Sequence, residues 1–435
     1  MSPKRTKPRS LRVGMLARVE GEGAMHVEVR GDVVTDVRLE IMEPPRFFEA
    51  LLRGRSFLEA PDITARICGI CPVAYQVSAC QAIEAACGVV VPEEIRLLRR
   101  LLYCGEWIES HALHIYLLHA PDFLGYPGAL EMAADHPDLV TRGLRLKKAG
   151  NTLMELVGGR AIHPVNVKVG GFWSLPDPED LAAVRPVLVE AFDDALATVR
   201  DVATFEMPDI EQPHTYLSLR RPDAYPLESG SIVTSEGAAF EVDDFFEHVV
   251  EEHVPHSHAL HARLHGGAGP YAVGPLARYT LCHDLLSPRA AEAAASAGLG
   301  SSCRNPFRSI VVRAVEVVEA CVAALEIVDG WHGAPTASVP VPARAGVGVG
   351  ASEAPRGILV HRYRIAADGA IADAVIVPPT AQNQPAIEAD LAAVVQAHLH
   401  LDDAALTEVC ETAIRNYDPC ISCATHFLDL TVQRS

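Results

Sequence analysis

The sequence predicts an α+β chain that is predominantly helical, with a central bundle of long helices and small β-sheets at its periphery. Three observations predict it. Four long stretches repeat apolar residues at helical spacing. Hydrophobic residues make up 49% and charged residues 21% of the 435 positions, a balance that allows a large buried core. Strand-like segments are short, and they cluster near the start and between 337 and 382.

The elements follow in order. Residues 1–10 carry Lys4, Arg5, Lys7 and Arg9 with no apolar run behind them, so they read as a disordered basic tail and not as a secretory signal. Segments 25–29 and 33–41 are rich in β-branched residues, with Gly31-Asp32 as a hairpin turn. The first long helix opens at Pro72, repeats apolar residues at Val73, Val77, Cys80, Ile83 and Cys87, and stops at Gly88. A second runs from about 92 to 119. The third opens on Asp177 as N-cap with Pro178 behind it and continues to about 205. Asn305-Pro306 opens a fourth, which ends at Asp329-Gly330. Shorter helices fit 385–398 and 402–414, and 357–365 reads as a strand.

Charge and hydropathy exclude several functions. With 37 Lys and Arg against 56 Asp and Glu, the formal charge is −19, which repels a phosphate backbone and argues against non-specific nucleic-acid binding. The most apolar stretch, 310–328, is broken by Arg313, Glu316, Glu319 and Glu326, so no membrane span is expected. There is no Gly-x-Gly-x-x-Gly fingerprint, so no nicotinamide or flavin site is expected on this chain.

Eleven cysteines, an odd number, do not make a disulfide framework. Four of them form two Cys-x-x-Cys pairs, Cys68/Cys71 and Cys420/Cys423, the first entering the helix at Pro72. In a chain without a signal this points to metal or redox chemistry in a reducing, cytoplasmic compartment. Four thiolates suit zinc, iron–sulfur or another soft-ligand metal. Zinc ribbons place their pairs about 15–20 residues apart, whereas 349 positions separate Cys71 from Cys420. A site joining both pairs would make residues 11–426 one intertwined domain.

The motifs then carry a specific resemblance. Arg18-Val19-Glu20-Gly21, Arg66-Ile67-Cys68-Gly69-Ile70-Cys71, Ile162-His163-Pro164, Gly170-Gly171, Glu353-Ala354-Pro355-Arg356-Gly357 and Asp418-Pro419-Cys420-Ile421-Ser422-Cys423-Ala424-Thr425-His426 occur in that order. The chain resembles the large, catalytic subunit of the nickel–iron hydrogenases over nearly its whole length, from about 17 to 426. Ser110 to Tyr116, Ala120 to Phe123 and Arg66 to Gln76 look most like the cytoplasmic, pyridine-nucleotide-linked branch, some of whose members also reduce polysulfide.

The resemblance implies reversible heterolytic cleavage of dihydrogen at a nickel–iron centre whose iron carries carbonyl and cyanide ligands. It implies that Cys68 and Cys420 bind nickel terminally and that Cys71 and Cys423 bridge nickel and iron. Thiolate Cys420 is the expected first proton acceptor and Glu20 the first relay, since a buried carboxylate can have its pKa raised into the working range. Taken alone, Glu20 beside glycines reads as a solvated loop carboxylate; the resemblance favours the relay. Arg356 is expected as a fixed guanidinium over the metals, the alternative being a loop arginine paired with Glu353. Asp418 is expected to orient Arg356 or to cap the turn before Cys420. Glu49 and His426 are expected to bind a second ion, magnesium or iron, near the C-terminus.

His111, His114 and His119 are read as packing or hydrogen-bonding groups in preference to a further metal site. The chain departs from many relatives at Tyr75, where histidine is common, at Ser110 (aspartate) and at Glu22 (histidine). Tyr75 can still donate a hydrogen bond to a neighbouring sulfur. The remaining cysteines (80, 87, 104, 282, 303, 321 and 410) form no further pair and are expected in the core. Electrons must therefore leave through a partner, which the resemblance names as the small subunit with its iron–sulfur clusters, on toward a diaphorase module that reduces NAD(P). It further implies that a maturation endopeptidase can remove the tail 427–435. A hydrogen-sensing subunit with the same centre, and a non-catalytic zinc scaffold, are the alternative readings.

Overall fold

The computed structural model describes residues 9–43, 47–267 and 269–425. The basic N-terminus is shorter than expected: Arg9 and Ser10 already belong to β1 (Arg9–Val13), while the rest of it lies outside the described residues. Antiparallel to β1 runs β2 (Gly23–Arg30), and antiparallel to β2 runs β3 (Val33–Ile41), joined to it through Gly31 at φ +64°. Met25, Val27 and Val29 alternate inward with Leu11 and Leu39, the period-two pattern of a half-buried sheet.

The helical body begins with α1 (Pro72–Cys87), which has Pro72 in its first turn and Gly88 as a left-handed stop at φ +69°. It is buried on nearly every side, as a core helix must be. The predicted helix 92–119 is α-helical as α2 (Glu93–Leu113) and then widens into a π-turn over His114–His119. Next comes α3 (Pro137–Gly158), which the sequence reading passed over. Its glycines hid it. At Gly150 a Cβ would lie 2.5 Å from Gly105 O, and at Gly143 one would lie 2.6 Å from the Tyr116 ring. Those glycines are contact points where α3 meets α2 and the π-turn.

Helix α4 (Pro178–Val202) has Asp177 as N-cap, accepting from Glu179 N, and ends just short of the predicted 205. After it, β4 (Thr215–Arg220) belongs to a four-stranded sheet absent from the sequence reading. Helix α5 (Ser309–Gly330) follows a 3-10 turn capped by Asn305. These helices form the central bundle expected from the sequence, with small sheets around it.

Strands β5 (Gly346–Ala354), β6 (Gly357–Ile365) and β7 (Ile371–Val377) form an antiparallel sheet lying directly on α1. Only β6 was predicted. Gly346, Gly348 and Gly350 face α1 so closely that a Cβ would lie 2.1–2.4 Å from carbonyls of Ala86, Ala82 and Ser78. Last come α6 (Pro379–Ala397), α7 (Asp403–Arg415) and the single turn α8 (Ile421–Ala424). Pro385 sits inside α6; reading it as a helix start placed the N-terminus about one and a half turns late. Among the described residues, no helix is long and apolar enough to cross a membrane.

The β6 side chain His361 is fully buried, and burial holds its pKa down to about 3. The ordinary imidazole value is about 6.5. Between those values the unfolded chain binds a proton that the folded chain does not. Stability is therefore full above about pH 6.5 and falls as the pH drops toward the folded value, by about 1.4 kcal/mol per unit for this group. His361→Leu should flatten the pH dependence by that slope when denaturant midpoints are compared at about pH 6 and 5.

Candidate metal centre

Two chain ends build the site. Cys68 lies in the loop before α1 and Cys71 is the residue that precedes Pro72; Cys68 Sγ accepts the N–H groups of Ile70 and Cys71, each at 3.3 Å. The next N–H groups of α1, from Val73 and Ala74, donate to the Glu106 carboxylate of α2 at 2.6 and 3.2 Å. Burial pushes the pKa of Glu106 well up.

The second pair is positioned from three sides. Cys420 N donates to Thr380 Oγ1 at the start of α6 (3.0 Å), and Ile421 N donates to Glu20 O (3.0 Å), so the segment at Glu20 runs parallel to Cys420. Gly21 makes this possible: at φ +87°, a Cβ there would lie 2.8 Å from Ile421 Cβ and 3.0 Å from Ser422 N. Asp418 holds a left-handed backbone at φ +51°, which turns the chain into Cys420.

The four sulfurs meet. Cys68 and Cys420 are 3.5 Å apart, Cys71 and Cys423 3.8 Å, and Cys420 and Cys423 2.6 Å, too long for a disulfide of about 2.05 Å. All four sulfurs lie within 4.8 Å of one another and all four residues are buried. A metal–sulfur bond of about 2.3 Å places tetrahedral sulfurs about 3.8 Å apart, so this set fits a soft transition metal.

Cys420 Sγ donates to Glu20 Oε2 at 3.1 Å, and the same oxygen accepts Ser422 N at 3.0 Å. Ser422 Oγ donates in turn to the half-buried Glu43 carboxylate at 2.8 Å. Arg356 is buried and donates through Nε to Asp418 O (2.6 Å) and through Nη2 to Asp418 Oδ1 (3.1 Å). The nearby Asp418 carboxylate and the thiols favour its cationic form despite burial. Its remaining Nη1 has no hydrogen-bond partner among the described residues. Burial pushes the pKa of Asp418 up while Arg356 and Arg313 oppose it.

Arg356 does not pair with Glu353. That carboxylate accepts Leu219 N (2.7 Å) and Arg278 (3.0 Å) instead. Arg278, fully buried, also makes a two-pronged bond to Glu316 (2.7 and 2.8 Å), donates to the carbonyls of Ala354 and Pro355, and lies over the Trp107 ring. It fixes the turn from which Arg356 projects. Gly357, at φ +135°, completes that turn, where a Cβ would lie 2.4 Å from Val273 Cγ2. Arg278→Met would leave Glu316 and Glu353 buried without their cation and should cost about 3–5 kcal/mol in denaturant unfolding.

Glu49 Oε1 accepts Ile376 N at 2.7 Å and lines a cavity of about 280 Å³ with Glu251, His253, Cys423 and Thr425. His426 lies outside the described residues, as does the tail 427–435. His111, His114 and His119 are all buried. His111 Nε2 lies 3.0 Å from Glu316, His114 bonds Arg415 O (2.8 Å), and His119 lies between Asp122 (3.1 Å) and Asn416 (3.0 Å). Tyr75 OH and Ser110 Oγ are buried without a hydrogen-bond partner among the described residues, so the expected Tyr75–sulfur bond is not formed. Glu22 is exposed, its N–H donating to Glu43 at 3.1 Å. The seven remaining cysteines are buried.

Sequence reasoning missed Glu106, Arg278, Glu316, Thr380, Ser422 and Glu43. For Glu106 and Glu316 a signal existed, a carboxylate inside an apolar helical run. Glu316 served there only to exclude a membrane span.

A helical body whose two ends bring four buried thiols together, with a carboxylate on one sulfur and a guanidinium beside them, defines a chain built around a soft transition-metal centre. Residues 46–141 and 308–426 match the family of nickel-dependent hydrogenases. The sulfhydrogenase 1 alpha subunit of Pyrococcus furiosus is 36% identical over 95% of this chain and 97% of its own length. The HoxS beta subunit of the NAD-reducing hydrogenase of Cupriavidus necator is 27% identical over 97% and 95%. A crystal structure of an NAD⁺-reducing [NiFe]-hydrogenase in its H₂-reduced state superposes with a TM-score of 0.86 at 28% identity, covering 96% of this chain and 99% of that one. The chain belongs to the nickel-dependent hydrogenase family, as a large subunit with the fold of the [NiFe] enzymes.

Proposed function

We propose that this chain is the subunit in which a [NiFe] hydrogenase splits dihydrogen reversibly into protons and electrons. One observation carries the reading: Cys68, Cys71, Cys420 and Cys423 converge with Glu20 hydrogen-bonded to Cys420 and Arg356 held beside them. These thiolates would hold nickel and iron, which when bound supply the acceptor for the electron pair of H₂. The protein's own work is proton handling and charge. Cys420 Sγ passes the proton to Glu20 Oε2, a carboxylate held in place by Ser422 N. Arg356, which cannot deprotonate, stabilises negative charge at the centre. Its Nη1 and the Tyr75 hydroxyl are buried and without hydrogen-bond partners among the described residues, which suits small polar ligands on iron such as cyanide. Asp418 positions Arg356 by its two hydrogen bonds.

Glu49, in the cavity that adjoins Thr425, and His426 hold the second ion, magnesium or iron, in this reading. Electrons leave through iron–sulfur clusters on a small subunit toward NAD(P). The exposed apolar residues Ile162, Val165 and Trp173, beside the Cys68–Cys71 loop through the Gly69–Ile162 approach, fit that partner's docking face. The NAD-reducing relative supports the acceptor. A maturation protease acting at 427–435 and a cytoplasmic location belong to the same proposal. Residues 11–426 then act as one domain. Elemental analysis of the purified complex should find one nickel per chain, with infrared bands in the carbonyl–cyanide region. Zinc without nickel overturns the reading.

A further inference from the structure

A second ligand constellation stands apart from the four thiols and shares no residue with the Glu49 cavity. His256 lies in the turn of the hairpin formed by β-strands Val249–His253 and Leu260–Leu264, His261 lies on the second of those strands, and Glu388 projects from α6. One ligand atom from each lies within 4.8 Å of the others. His256 Nε2 is 2.8 Å from Glu388 Oε1, and the two imidazoles meet edge-on at 5.5 Å. His261 is 1% exposed, and its Nε2 is buried without a hydrogen-bond partner among the described residues, an unusual state for an interior imidazole.

We propose that His256, His261 and Glu388 form a further metal site for a divalent first-row ion such as zinc. Two imidazoles and one carboxylate are the donor set of an open tetrahedral site, with water as fourth ligand. Neutral imidazole is the form that ligates, and burial, with His256 and Arg263 nearby, holds the pKa of His261 down to about 4. The surroundings are already ordered for it. Glu388 Oε1 accepts Leu39 N at 2.9 Å, which fixes the carboxylate as outer-shell donors do in built metal sites. Gln384, one turn earlier on α6, donates to Ser257 Oγ (2.9 Å) and Leu39 O (2.8 Å), tying hairpin, helix and β3 together. Arg263, whose charge acts on His261, is paired with Glu252.

The ion's role is a clamp. The same hairpin bridges Thr425 through Ala259, and α6 carries Thr380 against Cys420 N, so an ion here fastens two supports of the thiol centre to each other. The assembled, nickel-loaded complex, freed of loosely held metal by a mild chelator, is titrated with Co²⁺ at neutral pH. One saturable equivalent per large subunit is expected, with histidine ligation visible in its absorption spectrum and a rise in Tm on binding. His256→Ala, His261→Ala and Glu388→Gln should each weaken that equivalent by at least about tenfold. Glu388→Gln keeps the side-chain shape, so its result stands even where an alanine variant folds poorly. The proposal is overturned if wild type binds no such equivalent, or if Glu388→Gln binds it with undiminished affinity.

Discussion

Cys420→Ser is expected to abolish H₂-dependent turnover and to lower nickel affinity by more than the roughly 10–100-fold that loss of a mere outer-shell partner costs. The reason is chemical more than steric. Serine keeps the volume and can still donate to Glu20 and lie beside Cys68, whose sulfur is 3.5 Å from that of Cys420. A serine hydroxyl is a harder donor than a thiol and stays protonated at neutral pH, so the centre loses soft anionic charge where the other three thiols converge. Cys80→Ser is the matched control, since Cys80 is buried in α1 with its pKa pushed up to about 12 by burial. Nickel content per chain and H₂-driven dye reduction are the two readouts. If Cys420→Ser retained wild-type nickel and turnover within tenfold, Cys420 would not be a ligand.

The four converging thiols were legible because cysteine chemistry is written in short local spacing. Two Cys-x-x-Cys pairs announce four thiolates wherever the fold puts them, and the Asp418–Cys420 and Glu353–Gly357 motifs named Arg356 as well. Helices were legible where their termini carry signals, such as Pro72 and Gly88 or Asp177 with Pro178. They were illegible where glycine serves packing instead of turning. Gly143 and Gly150 lie in the helix that was passed over, and with Gly105 they mark where α2, α3 and the π-turn meet at backbone distance. The glycines of β5 misled in the same way, reading as a loop while they let the sheet lie on α1.

Supporting residues were hidden for a different reason. Arg278 contacts Glu316, Glu353 and Trp107 across wide sequence gaps, and no local pattern records such partners. Thr380 and Ser422 hydrogen-bond into the site from ordinary positions, so only the fold gives them meaning. The candidate site was thus readable in its converging thiols and unreadable in what holds those atoms still.

Glu20→Gln tests the proton route without touching a sulfur. The amide keeps the shape and one acceptor oxygen, so the bonds from Ser422 N and Ile421 N to residue 20 can persist and nickel and iron should remain at wild-type content. What it loses is the ability to take a proton from Cys420 and pass it on. General acid–base groups contribute about 10²–10⁴-fold, so H/D exchange and H₂ oxidation should fall within that range. Glu20→Asp, a shorter carboxylate, should recover part of the loss, because the function is protonation and the defect is then distance alone. Ser422→Ala removes the hydroxyl bonded to Glu43 but leaves the main-chain bond to Glu20, and a smaller loss is expected. The ordering separates a relay from a structural strut: a strut would be rescued by glutamine, which preserves the geometry, and harmed by aspartate, which does not. Full exchange in Glu20→Gln would place the proton's exit elsewhere.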